Sequence, residues 1–340
     1  MQIEHFVTLF DDTFLPLGMA LHESLCAHAR PFHLWVICMD EAVETHLRHL
    51  ALPDLTPIPL RDIETPDLLA VKPGRSRAEY CWTLTSFTFS AVFERCEAAQ
   101  RVTYLDADLF FFDDPRVLLR ELDESGRHVL ITEHAYAPEY DQTRLNGRFC
   151  VQFVVFDQSF HAANVMHWWQ ARCLESCSAR PHNGKFGDQK YLDDWPTRFS
   201  DAVEVVRQTE KTLAPWNVSH VADRHAGPLT PVTYHFHNFR LVGPDRARIY
   251  LGYRICGQAM ELYADYLAAV SRAIRRLQAV HIDMAPMTLP WEIFGPLRRW
   301  FRGLRGVERF TSLSETNPLE TDHVLAATSS YIGDPSQGTR

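Results

Sequence analysis

The chain has 340 residues, of which 46% are hydrophobic and 23% charged, the balance of a globular protein large enough to bury a sizeable core. Its formal charge of −9 sets the overall field against a duplex nucleic-acid partner. No apolar run reaches the ~18–20 residues that cross a bilayer, and Met1-Gln2-Ile3-Glu4 lacks the basic region of a signal peptide, so a cytoplasmic protein is expected.

In chain order, residues 5–10 form an apolar stretch that ends at Asp11-Asp12, and Leu17, Leu21 and Leu25 then recur at helical spacing. Residues 32–39 predict a second buried strand and 41–50 a short helix, after which Pro53, Pro57 and Pro59 break the pattern. A helix rich in aromatics is expected over 78–97 and a third strand over 101–112. This alternation predicts an α/β fold with helices covering a parallel sheet. Shorter strands are expected at 129–132, 149–156, 202–206 and 232–236, with helices at 162–177 and 260–280. The eight cysteines are scattered and form no C-x-x-C pair, so reduced thiols are expected. Cys173 and Cys177 stand at i, i+4, but no second ligand pair accompanies them. The expected organisation is a catalytic domain over 1–250, a helical extension over 251–310 and a flexible tail over 311–340, where Ser, Thr, Asp, Gly and Pro dominate.

The most informative stretch is V-T-Y-L-D-A-D-L-F-F-F, residues 102–112, in which a buried strand runs into Asp106 and Asp108. In extended backbone that spacing points both carboxylates to one side. Two hard oxygen donors at a strand end suit Mg2+ or Mn2+, with positions left open for phosphate oxygens, and the carboxyl ends of strands are where open α/β sheets bind ligands. His235 and His237 alternate by two on a later strand and either supplies an imidazole to such a site. Trp216, in the loop before that strand, offers an aromatic face to a sugar.

The Y-L-D-A-D-L-F-F run resembles the D-x-D signature of GT-A glycosyltransferases, in particular those related to glycogenin and the bacterial lipopolysaccharide galactosyltransferases of glycosyltransferase family 8. Three further places agree in order and spacing over residues 1–245: the opening V-T-L-F-D-D, the segment Gly187-Asp188-Gln189-Lys190-Tyr191-Leu192-Asp193, and Tyr234-His235-Phe236-His237. The resemblance implies the GT-A fold, a Rossmann-like, mixed and mostly parallel sheet flanked by helices. It implies hexosyl transfer, with retention, from a nucleotide-diphosphate sugar to a hydroxyl acceptor on a glycan or lipid-linked sugar. It places Thr8, Phe10 and Asp11 on the nucleotide, favours His235 as the third metal ligand beside Asp106 and Asp108, and sets Asp188 and Gln189 on the donor sugar. Two departures stand out. Gln152 falls where the family's Asn-Ala-Gly turn leaves room for the donor sugar, so it is expected against that sugar. Trp82 stands where the family has an arginine, and Arg77 is expected to supply the charge.

Two other functions fit a similar sheet. A nucleotidyltransferase calls for a Gly-rich loop with a nearby Lys or Arg after the first strand, and residues 8–14 contain neither. A non-catalytic sugar-nucleotide-binding protein would lose the metal ligands, and all three are present. Within 291–309, Leu297, Phe301 and Leu304 recur at helical spacing beside Trp300, and Arg298, Arg302, Arg305 and Arg309 form a second stripe. The pattern suits either peripheral contact with an anionic membrane or packing back on the catalytic domain.

Overall fold

The computed structural model describes residues 2–313 apart from 226, 244, 284–286, 288 and 290–294. In chain order the strands are β1 (Glu4–Phe10), β2 (Phe32–Cys38), β3 (Leu55–Pro59), β4 (Arg101–Leu105), β5 (Leu109–Phe111), β6 (Val129–Glu133) and β7 (Phe149–Asp157). They continue with β8 (Val203–Val205), β9 (Thr212–Leu213), β10 (Thr233–His235), β11 (Arg240–Leu241), β12 (Arg246–Leu251) and β13 (Glu308–Ser312).

The main sheet has the order β3-β2-β1-β4-β7-β6-β8. Its pairs are parallel except those of β7, which runs antiparallel to both β4 and β6. The expected α/β class therefore holds, with one reversed strand at its centre. Both faces are covered, which is why β1 and β7 read as nearly continuous apolar runs. Val7, Leu9 and Val154 belong to one core, and Phe6, Phe10 and Val155 to the other. Phe10 packs so closely on Gly18 of the helix Leu15–His28 that a methyl group at Gly18 would overlap its ring.

Three expected elements differ. The prolines after residue 50 do not merely end a helix: Pro57 and Pro59 sit in β3, opposite Val36 and Cys38, and an edge strand tolerates residues without a backbone N–H. The single helix expected over 78–97 is two, Arg77–Thr85 and Thr88–Phe93. At the break, Ser86 and Thr88 hydroxyls donate to the carbonyls of Thr83 and Thr85, a local competition that bends helices. The strand expected over 101–112 is split into β4 and β5 by a tight turn in which Leu109 N–H donates to Asp106 O, 3.1 Å.

A long amphipathic helix, Gly257–Ala279, buries Tyr263, Tyr266 and Leu267 against Tyr234 and Phe236. Of the tail expected over 311–340, Thr311 and Ser312 lie in β13 instead, paired antiparallel with Ala247 and Arg246 of β12. Residues 314–340 fall outside the described part. All eight cysteines are free. No helix among the described residues is long and apolar enough to cross a membrane.

Candidate functional site

The carboxyl ends of β1 and β4 and the end of β10 open on a cleft of about 670 Å³. Asp106 and Asp108 flank the turn between β4 and β5, rather than lying in extended backbone as expected. The turn nonetheless aims both carboxylates at β10, because β5 pairs antiparallel with it and sets Leu109 opposite His235. His235 Nε2 lies 3.0 Å from Asp108 Oδ1 and 3.6 Å from Asp106 Oδ2. One ligand atom from each residue falls within 4.8 Å of the others, which among the described residues makes this the one His/Cys/Asp/Glu group able to hold an ion. Two carboxylates and an imidazole form a hard mixed donor set that fits a divalent cation.

The electrostatics agree with a site built for positive charge. Burial raises the pKa of Asp106. At Asp108 burial acts upward too, but His235 outweighs it and holds the group low. Burial would lower His235, yet Asp108 beside it lifts the imidazole well above its usual value. His237, two residues beyond β10, lines the cleft but is not in the three-residue group, and burial depresses it to about 3.

Gln152 is placed differently from its expectation. It is buried on β7 (1% exposed) and does not line the cleft; its Oε1 lies 2.6 Å from His235 Nδ1, while its backbone carbonyl accepts from Asp106 N–H. Its neighbours Cys150 and Val151 reach the cleft instead.

Thr8 and Phe10 also miss the cleft. Along β1, Leu9 and Asp11 face it, and the period of two turns Thr8 and Phe10 to the other side. There Phe10 is core, and the buried Thr8 hydroxyl has no hydrogen-bond partner. Asp11 receives Arg77 Nε at 2.9 Å, and Asp40 receives Arg77 Nη2 at 2.6 Å. A capping box of Ser76 and Glu79 starts the helix at Arg77 and so aims this side chain into the cleft. The arginine sits beside the first strand, and Trp82 remains in the place where the family has its charge.

Gly187 adopts φ +52°, a conformation that favours glycine, with Trp82 in ordinary contact with the place a Cβ would take. The turn delivers Asp188 and Gln189 to the cleft. Asp188 begins a 3-10 helix without capping it. Burial raises its carboxyl well above the usual range, and Gln189 Nε2 donates to Asn146 O at 2.8 Å. Trp216 lines the cleft, 4% exposed, and its indole N–H donates to His134 O at 2.7 Å. Sequence reasoning missed Tyr136, stacked on His134 at 4.5 Å, and Arg240, which also lines the cleft. A lone cation five residues beyond His235 was the available signal for Arg240; the aromatic residues looked like core.

A mixed α/β sheet with a D-x-D turn and a histidine at its carboxyl edge is the arrangement that the resemblance to GT-A glycosyltransferases implies. The chain belongs to the family of the uncharacterized protein YfnD of Bacillus subtilis, to which it is 30% identical over 304 residues, covering 85% of this chain and 96% of that one. No family model matches. Among solved structures it is similar to mouse xyloside xylosyltransferase 1, at 15% identity over 69% of this chain and 98% of that one, with a TM-score of 0.46. It is also similar to the galactosyltransferase LgtC, solved with donor and acceptor sugar analogs, at 16% identity over 84% and 97%, with a TM-score of 0.47.

Proposed function

We propose that the protein is a metal-dependent glycosyltransferase that moves a hexosyl unit from a nucleotide-diphosphate sugar to a hydroxyl acceptor with retention of configuration. The observation that carries this reading is the convergence of Asp106, Asp108 and His235 at the mouth of one cleft. These three residues would hold Mn2+ or Mg2+, which when bound offsets the charge of the diphosphate leaving group.

Arg240 adds a fixed cation on the same side of the cleft and suits the diphosphate oxygens. Asp11 and Arg77, tied to one another, border the nucleotide end. Asp188 and Gln189 face the donor sugar, where the buried Asp188 carboxyl and the Gln189 amide suit hydrogen bonds to sugar hydroxyls. Trp216, Tyr136 and Tyr253 line the same cleft, Trp216 with its ring 5.4 Å from that of His235, and present aromatic faces that suit the C–H face of an acceptor sugar.

A thermal-shift panel of nucleoside diphosphates tests the binding half of this reading. At least one is expected to raise the melting temperature in the presence of Mn2+ and to do less without it. If none of the common nucleoside diphosphates does so, the reading fails.

The helix Gly295–Leu304 supports a peripheral membrane location. Trp300, Phe301 and Leu304 are exposed and lie among exposed Arg298, Arg299 and Arg305, a pairing of apolar and cationic groups that suits an anionic lipid surface. Arg302 leaves the expected stripe, since its Nε lies 2.7 Å from the buried Glu308 of β13. Such a surface would bring the cleft to a lipid-linked acceptor.

A further inference from the structure

We infer that Gln152 is a positioning residue that sets the tautomer of His235 and so decides which ring nitrogen faces the metal position. The inference rests on the metal reading above and adds to it a residue that the D-x-D and histidine motifs do not include.

The geometry is specific. His235 is 5% exposed and Gln152 1%, so neither ring nitrogen has bulk water as an alternative partner. Nδ1 lies 2.6 Å from Gln152 Oε1, while Nε2 points toward Asp108 and Asp106. An amide oxygen only accepts, so this contact requires the proton on Nδ1. When a cation displaces the proton from Nε2, the Nδ1–H remains held, and the lone pair needed for ligation stays on the nitrogen between the carboxylates. With the opposite tautomer, Nε2–H would point at the carboxylates and the ring would offer no donor there.

Gln152 is itself well fixed. It sits in β7 next to the shift in register between β6 and β7 at Ile131/Thr132, and its carbonyl accepts from Asp106 N–H at 3.1 Å. One residue thus touches two of the three ligands, the first through its backbone and the second through its side chain. A glycine, which the family resemblance leads one to expect at this place, has no side chain to hold the imidazole. Filling the position with Gln adds a constraint on the metal side.

The test is direct Mn2+ binding by titration calorimetry on the full chain, for the parent and for Gln152→Leu and Gln152→Glu. A second measurement uses 15N-histidine NMR spectra of the Mg2+-loaded parent, with His235 assigned through its loss in His235→Asn. The expected results are an Nδ1–H tautomer for His235, an affinity for Mn2+ lower by roughly 10- to 100-fold in Gln152→Leu, and affinity retained in Gln152→Glu, which keeps an acceptor. Equal Mn2+ affinity in the folded Leu variant and the parent overturns the role of Gln152. So does an Nε2–H tautomer in the parent, a result that stands even if the Leu variant fails to fold. Absence of Mn2+ binding by the parent overturns the metal reading itself, and is distinguished from failure of Gln152 by the parent titration alone.

Discussion

Asp108 Oδ1 stands 3.0 Å from His235 Nε2, and what brings together two residues so distant in the chain is the antiparallel pairing of β5 with β10. The carboxylate does not approach the imidazole through its own strand: the turn after β4 folds back, and the ladder beyond it sets the register. Asp108→Asn keeps the shape of this contact but removes an anionic donor. It is expected to fold like the parent, to lose the thermal stabilisation by Mn2+, and to lose transfer activity. Melting curves with and without Mn2+ check this, and a variant that responds to Mn2+ like the parent contradicts the assignment.

Asp188 makes a prediction in pH. Burial raises its folded pKa well above the ordinary value of 3.8, so the folded state retains a proton that the unfolded chain has released. The favourable contribution is complete below that value and is lost as pH rises toward the folded pKa. Asp188→Asn carries no such penalty. Its melting temperature is expected to exceed that of the parent by a margin that grows as pH rises from 4 toward the folded pKa, while its turnover falls more than its affinity for nucleoside diphosphate. A margin independent of pH would show that the carboxyl is not held neutral by the fold.

Thr8→Val tests where the first strand meets the ligand. The buried Thr8 hydroxyl has no hydrogen-bond partner, and replacing an unsatisfied hydroxyl by a methyl group is neutral or stabilising by up to ~1–2 kcal/mol. The substitution should raise or preserve the denaturation midpoint and leave the KM for the donor unchanged. A raised KM would return Thr8 to the nucleotide site.

These residues mark how far the sequence could be read. The alternation of strands and helices, the D-x-D pair and the histidine strand were legible from local spacing, and the segment at Gly187-Asp188-Gln189 from its resemblance to the family's. The facing of Thr8 and Phe10 was not: in a strand buried on both sides, apolarity no longer tells which face is which. Gln152 was placed on the sugar by its position in the family's pattern, and only the pairing of β4 with β7 and of β5 with β10 shows that it stands behind the histidine. Edge strand β3 was hidden by its prolines, and Arg240 carried no signal beyond its place five residues after His235.

The exposed helix Gly295–Leu304 predicts that the protein floats with anionic vesicles at low salt and is released as salt rises. A variant carrying Trp300→Ser, Phe301→Ser and Leu304→Ser should stay at the bottom of the gradient while binding nucleoside diphosphate as the parent does. A parent that fails to float removes the membrane proposal and leaves the catalytic one untouched.

The central claim is tested most directly by incubating the protein with a panel of nucleotide-diphosphate sugars and Mn2+, and measuring nucleoside diphosphate release by mass spectrometry, with Asp108→Asn as the paired control. The account predicts release from at least one donor, dependent on added Mn2+ or Mg2+, stimulated by a sugar acceptor and absent in Asp108→Asn. Release that proceeds equally in the parent and in Asp108→Asn, or without any divalent ion, would contradict it.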